Sequence, residues 1–263
     1  MRTTAIFNLK GGVGKTITTG VMADILAEDY HERVLAVDAD GQGNLSQYFG
    51  VKATEDNSLL ALLQGNCGPC YGDFVSHARD RIDLIPADIS LMFADVDALQ
   101  DGRCNLRALD DLRTAIEEDA AQGEGYDFLL IDCPPAFSAA SSAALAAADD
   151  VVIPVRLDAF STAGMAELIR QVDNMRRINP RLRVAGVLAT QYQRTPEEDA
   201  ALSYLRTNSG LPVYRSTVRY SRRVGAATFA REPLITFSPA CGPSRDYRAF
   251  VAEYLEGGGA DGR

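Results

Sequence analysis

The stretch "NLKGGVGKTITT", residues 8–19, constrains this chain more than any other. It continues a short apolar and β-branched run, "TAIFNL" (4–9), and leads into a helical pattern over 15–30. A strand that breaks into glycines and restarts as a helix at Lys15-Thr16 has the layout of a phosphate-binding loop. Glycines let backbone N–H groups converge on phosphate oxygens, and the following helix aims its N-terminal dipole at the same charge. Gly11, Gly12, Val13, Gly14, Lys15, Thr16 and Ile17 are therefore the candidate nucleotide contacts. Lys15 is placed to reach the β- and γ-phosphates, and the Thr16 hydroxyl to ligate Mg²⁺. A second lysine, Lys10, stands at the loop's front edge, in a chain with 23 arginines and only three lysines.

The rest of the chain alternates short apolar runs with helical patterns. Strands are expected at 4–9, 33–40, 81–87, 126–134, 150–157 and 183–192, and helices at 15–30, 90–99, 105–121, 137–148, 161–178 and 197–208. Several runs, such as "YDFLLIDCP", are continuously hydrophobic, which suits parallel strands covered on both faces. The alternation predicts an α/β fold, a doubly wound, mostly parallel sheet flanked by helices. Residues 52–80, with Gly65, Gly68, Pro69 and Gly72, read as loops and a short helix. No repeat or linker divides the chain, so one domain is expected over 1–256, with a flexible tail, "GGGADGR", at 257–263.

Carboxylates end two of the strands. Asp38 and Asp40 close "VLAVDAD", and alternation predicts that both face one side. Asp132 closes "FLLIDCPP". The carboxyl edge of an open α/β sheet is where ligands bind, so all three can aim at the phosphate loop.

Composition removes other classes. No apolar stretch approaches the roughly 20 residues of a membrane span, and "AASSAALAAADDVVIPV" is broken by serines and Asp149-Asp150. Five cysteines, an odd number, do not make a disulfide framework and point to a reducing cytoplasm. "CGPC" (67–70) has metal spacing, but one pair cannot fill a tetrahedral site. The two histidines, His31 and His77, sit in no nucleophile motif. A net charge of −10 argues against a uniformly basic nucleic-acid binder. It leaves room for a local basic patch. From Ala200 to Arg231 there is no acidic residue but six arginines: Arg206, Arg215, Arg219, Arg222, Arg223 and Arg231.

The loop lacks the leading glycine of the common phosphate-loop pattern, where Leu9 stands. K-G-G-x-G-K-T (10–16) instead resembles the deviant Walker A motif of the ParA/MinD family of ATPases. "VLAVDADGQGNLS" (34–46), "YDFLLIDCPP" (126–135), "VVIPVRLDAFSTAG" (151–164) and "SRDYRAFVAEYL" (244–255) are similar to later segments of that family, in family order. The resemblance spans nearly the whole chain except 52–80. It implies ATP and Mg²⁺ as cofactors and hydrolysis to ADP and phosphate. Lys10 then corresponds to the family lysine that reaches the nucleotide of a second subunit when two copies sandwich two ATP molecules. The same resemblance implies that Asp40 orients or activates the attacking water, that Asp38 supports Mg²⁺ and Thr16, and that Asp132 holds Mg²⁺ through a water. Lys10, Lys15 and Asp40 are thus the implied catalytic residues, and Thr16, Asp38 and Asp132 the implied metal residues. Where the family usually has proline, this chain has Gly41.

"YRSTVRYSRRVG" corresponds to the segment through which DNA-segregating members touch the DNA backbone. It implies Arg223 and Arg194 as DNA contacts, with Arg219 and Arg222 beside them. Arg-Tyr-Ser (219–221) replaces a common Pro-Arg-Asn that partly lines the base pocket. The implied protein is a ParA-type partitioning ATPase of the cytoplasm, associated with the nucleoid. ATP closes its homodimer, the dimer binds DNA without sequence preference, and a ParB-like centromere-binding partner stimulates hydrolysis. With the first strand at the start of the sequence, no N-terminal helix-turn-helix for operator recognition is expected. Three alternatives stay open at this point, one of them a metallocluster carrier, which would show bound metal or its absorbance. A membrane-cycling MinD-like ATPase would need a basic amphipathic tail, whereas "FVAEYLEGGGADGR" is acidic and glycine-broken. A non-hydrolysing ATP-switch adaptor would bind nucleotide and a protein partner without turnover.

Overall fold

The computed structural model describes residues 1–65, 71–100, 104–120, 125–158 and 161–257. Eight strands form one sheet among these residues: β1 (Arg2–Ile6), β2 (Val34–Asp38), β3 (Ser76–Arg79), β4 (Ile82–Ile85), β5 (Phe128–Asp132), β6 (Asp150–Arg156), β7 (Arg183–Tyr192) and β8 (Val213–Arg219). Their order is β3-β4-β2-β5-β1-β6-β7-β8. All neighbours are parallel except β3 and β4. The principal helices are α1 (Lys15–Tyr30), α2 (Asn44–Phe49), α3 (Leu59–Leu63), α4 (Phe93–Leu99), α5 (Ala108–Ala120), α6 (Ala139–Ala147), α7 (Ser161–Arg176), α8 (Pro196–Asn208), α9 (Arg222–Ala230), α10 (Leu234–Phe237) and α11 (Gly242–Leu255).

The continuous apolar runs of β2 and β5 are buried at every position. Their alternate residues enter two different cores. Leu35, Val37, Leu129 and Ile131 pack with Leu112, Ile116, Ala143 and Leu145 of α5 and α6. Val34, Ala36, Phe128 and Leu130 pack with Met22 and Ile25 of α1 and Phe250 of α11. The period of two along each strand thus sends every second side chain to the opposite helical layer. This is the doubly wound, mostly parallel α/β sheet that the sequence predicts.

Two strands differ from the expectation. β3, "SHAR", lies in the region read as loops and pairs antiparallel to β4. It has no apolar alternation to announce it, and its Arg79 is held instead by Asp24 of α1 and the Tyr48 carbonyl of α2. β8, "VYRSTVR", buries only Tyr214 and Val218, as befits an edge strand whose polar residues face solvent. Of the expected tail, only Gly257 is described.

Candidate functional site

The loop between β1 and α1 is shaped by residues far away in sequence. Gly12 and Gly14 adopt left-handed φ of 72° and 86°, which disfavour side-chain-bearing residues. Asn8 anchors the front: its side-chain amide donates to the Pro154 carbonyl and its oxygen accepts the Lys10 amide. At the other side, the Thr190 hydroxyl donates to the Val13 carbonyl at 2.7 Å, and the Gln191 side chain donates to the Gly12 carbonyl at 2.7 Å. Gln191 itself has a φ of 53°, so β7 turns sharply to deliver that contact. These two bonds tie the loop's carbonyls back to the end of β7 and brace its shape. α1 begins at Gly14 with no side-chain cap and no acidic residue in its first turn. Its first N–H groups, which no helical carbonyl can accept from, therefore stand ready for an anion.

Lys15 is only 7% exposed, and its ammonium donates to the Asn8 and Lys10 carbonyls at 3.0 Å each. Burial lowers its pKa, and the nearby Asp132 charge opposes that shift. Lys10 points elsewhere. Its ammonium makes 2.6 Å contacts to both oxygens of Asp158, a pair about one-third exposed on each side.

Register brings two of the carboxylates together, because Asp38 lies directly opposite Asp132 across β2 and β5. Both are fully buried, on the α1 side of the sheet with Ala36 and Leu130. Asp38 accepts from the Ser46 amide and hydroxyl and from the Asp40 amide. Neither oxygen of Asp132 makes a hydrogen bond of full geometry, although the Thr16 hydroxyl is near enough to draw its pKa down. Burial pushes the Asp38 carboxyl up to about 6, against the pull of its Ser46 bonds. Burial, and then the neighbouring Asp38, pushes Asp132 well above its ordinary value.

Asp40 departs from the expected strand. β2 ends at Asp38, and Asp40 sits in a turn where its carboxylate accepts the Gln42 amide and its carbonyl the Gly43 amide. Asp38 captures the Asp40 amide and so draws the backbone out of the ladder. Asp40 is therefore aimed by that turn, not by strand alternation. A methyl group at Gly43 would meet the Ala87 carbonyl at 2.8 Å, so the turn is closely packed as well as left-handed.

A buried carboxyl crowded by Asp38 and lying near the Thr16 hydroxyl is a chemical fit to Mg²⁺, which takes hard oxygen ligands and would favour its ionised form. Of the two carboxyls, Asp132 is the one that makes no hydrogen bond of full geometry. Asp38 is engaged in holding the Asp40 turn to α2.

A cavity of about 240 Å³ opens beside the loop, lined by Gly14, Ile17, Val218, Tyr220, Arg222 and Tyr247. Sequence reasoning missed Val218 and Tyr247 as lining residues, because β8 and α11 reach the loop only in three dimensions. Thr190, Gln191 and Asp158 were missed for the same reason, lying about 150 or more residues from their loop partners. The expected DNA-contact arginines divide. Arg219 makes a bidentate pair with Asp246 at 2.7 Å. Arg194, Arg222 and Arg223 are exposed and make no ion pair among the described residues. They share one corner, since the Tyr220 amide bonds the Tyr192 carbonyl where β7 and β8 end.

The cysteines hold no metal centre among the described residues. Cys104 and Cys133 are buried, burial pushes both thiols up, and Cys241 contacts the Ser244 hydroxyl. Cys67 and Cys70 lie outside the described residues. Among the described residues no helix is long and apolar enough to cross a membrane.

Chains that fold this way and carry this loop are P-loop nucleotide-binding proteins, and similarity to known proteins narrows the class. The sequence profile of a family described as an AAA domain matches residues 1–184. The chain is 33% identical to the chromosome partitioning protein ParA of Caulobacter vibrioides, covering 97% of this chain and 94% of that protein. It is 34% identical to the chromosome-partitioning ATPase Soj of Thermus thermophilus, covering 97% and 96%. Cobyrinic acid a,c-diamide synthase from Mycobacterium smegmatis, solved with bound ADP and magnesium, shares the fold with a TM-score of 0.80 at 26% identity, over 97% of this chain and 94% of that one. The chain belongs to the ParA/MinD family of P-loop ATPases.

The carboxylate pair gives a pH prediction. A carboxyl raised in the folded state stabilises the fold below its unfolded pKa, and that stability is lost as pH rises through the folded value. For Asp38, a shift from about 4 to about 6 corresponds to roughly 3 kcal/mol. Nucleotide-free protein is therefore expected to lose stability to urea between about pH 4 and pH 7. Asp132→Asn should flatten that dependence, because it removes the paired charge. Superimposable pH profiles for wild type and variant would contradict the assignment.

Proposed function

We propose that this chain is a ParA-type ATPase whose ATP-bound homodimer binds DNA without sequence preference. A ParB-like centromere-binding protein stimulates its hydrolysis, and the cycle partitions DNA in the cytoplasm on the nucleoid. One observation carries the reading: the helix that bears Arg222 and Arg223 also forms a wall of the cavity beside the phosphate loop. Occupancy of the nucleotide site and presentation of the basic corner therefore share α9. The partitioning roles of the ParA and Soj relatives support the same reading.

ATP lies with its phosphates over Gly11–Thr16 and its base toward Ile17, Val218 and Tyr247. Lys15 exchanges its loop carbonyls for phosphate oxygens. Thr16 and Asp132 would hold Mg²⁺, which would supply positive charge to the triphosphate. Asp40 orients a water for attack on the γ-phosphorus, giving ADP and phosphate. Lys10 leaves Asp158 and meets the nucleotide of the second copy, where excluded water makes its charge more effective.

Asp40→Ala should bind ATP and dimerise but turn over about a hundredfold more slowly, the usual scale for removing a general base or water-positioning group. A wild-type rate in single-turnover assays would remove Asp40 from that role. DNA contact is tested by Arg223→Ala, which should weaken binding to all duplexes alike. Its log–log salt dependence should flatten by about 0.9 for each phosphate the variant no longer neutralises. An unchanged slope would exclude Arg223 from the DNA backbone. ATP-dependent dimerisation should survive in this variant, which separates DNA contact from assembly. Membrane cycling is answered by sedimentation with anionic vesicles, and the adaptor reading by measured turnover.

A further inference from the structure

Phe229 is 93% exposed, more than any other large apolar side chain among the described residues. It stands on α9, whose one fully buried side chain is Ala227. At 100° per residue, Phe229 lies about 200° around the helix from Ala227, and Arg222 about 220°. The ring and that guanidinium therefore share the outward ridge, seven residues or about 10 Å apart along the axis. Arg223, in the first turn, and Arg231, at the C-cap, are both exposed but turned about 120° or more around the axis from the ring. Between Arg222 and Phe229 the ridge carries Gly225 and Ala226, so nothing bulky stands between charge and ring.

A lone exposed phenylalanine costs solubility and gains nothing for the fold, since its ring touches no core. Its neighbours name the occupant. Three arginines with no ion pair among the described residues stand on the same helix and its C-cap, Arg222 on the ring's own ridge, on a segment without acidic residues in a chain of net charge −10. That complements a polyanion. A membrane-surface helix needs a broad apolar face, whereas this helix of nine residues offers one ring. A polyanion with apolar faces inside its charged rim is DNA, whose base steps accept apolar wedges from the groove.

We propose that Phe229 is a non-electrostatic DNA contact, set against or between bases while Arg222, on the same ridge, holds a flanking phosphate. The proposal rests on the DNA-binding reading above and adds a salt-independent component to it. Phosphate contacts release counterions and so set the slope of affinity against salt, whereas an apolar contact releases none. The ring gives affinity that persists at high salt, and because every base has a π-face it adds no sequence preference.

The test uses the full chain with ATP and Mg²⁺ and a labelled duplex, titrated between about 50 and 200 mM salt. Phe229→Ala should weaken binding about tenfold at every salt concentration, within the range for removing a base–aromatic stack, with the slope unchanged. Phe229→Trp should retain affinity, and its emission should be quenched by DNA. Affinity within twofold of wild type for Phe229→Ala, or a loss confined to low salt, overturns the proposal. So does loss of the ATP-dependent dimer in Phe229→Ala, which would assign the ring to the interface between copies. Loss of binding to phosphatidylserine vesicles with DNA affinity retained would assign it to a lipid surface and equally overturn it. Failure of the DNA-binding reading itself is distinct, because the wild-type arm then shows no ATP-dependent binding.

Discussion

Lys15→Ala is expected to bind ATP at least a hundredfold more weakly than wild type, the largest single effect in the site. The ammonium is almost wholly buried, between the Asn8 and Lys10 carbonyls and near the Asp132 charge. Removing a buried cation strips the phosphates of a charge-assisted contact made in a dry environment. It also leaves Asp132 without its nearest counter-charge. Truncating one partner of a buried charged pair costs about 3–5 kcal/mol, which is roughly a hundredfold or more in affinity. Calorimetric titration with an ATP analogue and Mg²⁺ measures this directly. Binding within tenfold of wild type would mean that the loop amides alone hold the triphosphate.

Lys10→Ala should have the opposite profile, keeping most nucleotide affinity and losing the ATP-dependent dimer. In the single chain Lys10 lies against Asp158 and not over the loop, so it contributes little to the first encounter with nucleotide. A partly exposed ion pair is worth about 0–1 kcal/mol, so exchanging Asp158 for a second copy's phosphates is favourable. Asp158→Ala should consequently shift dimerisation by about fivefold or less, toward the dimer, because a weak, partly exposed competitor for Lys10 is removed. Light scattering with and without ATP checks both variants. A normal dimer in Lys10→Ala would take the lysine out of the interface. A dimer abolished in Asp158→Ala would show that Asp158 supports assembly and does not compete with it.

How much of this was legible in the residues depends on the distance over which each interaction acts. The phosphate loop announces itself because its strand, glycines, lysine and helix are consecutive. Asp38 and Asp132 are visible as the polar ends of apolar runs, and the parallel pairing that sets them face to face follows from those same runs. Asp40 was legible as a residue but not in its geometry, since the turn that aims it depends on Asp38 and on the packing of Gly43 against Ala87. Thr190 and Gln191 read as ordinary strand residues, and only the fold brings their side chains to the carbonyls of the loop. The arginine segment shows the limit most clearly. Its charge is evident in one dimension, yet Asp246 neutralises Arg219 while Arg222 and Arg223 stay open. α9 gave little periodic signal, because Gly225 interrupts it and only Ala227 is buried.

Fold likeness cannot decide the function, since the same architecture occurs in an amide-forming synthase at a TM-score of 0.80. What separates a partitioning ATPase from such neighbours is the coupling of ATP to DNA. The most direct measurement is therefore a titration of the wild-type chain with duplex DNA in ATP, in ADP and without nucleotide, at several salt concentrations. A monomer of net charge −10 is repelled by DNA at long range. At close range, screening over about 8 Å hides distant acids while Arg194, Arg222 and Arg223 still meet phosphates, and dimerisation doubles that patch. The account predicts tight, sequence-independent, salt-sensitive binding with ATP, and little binding with ADP or none. Equal affinity in all three nucleotide states, or no binding with ATP at low salt, would contradict it.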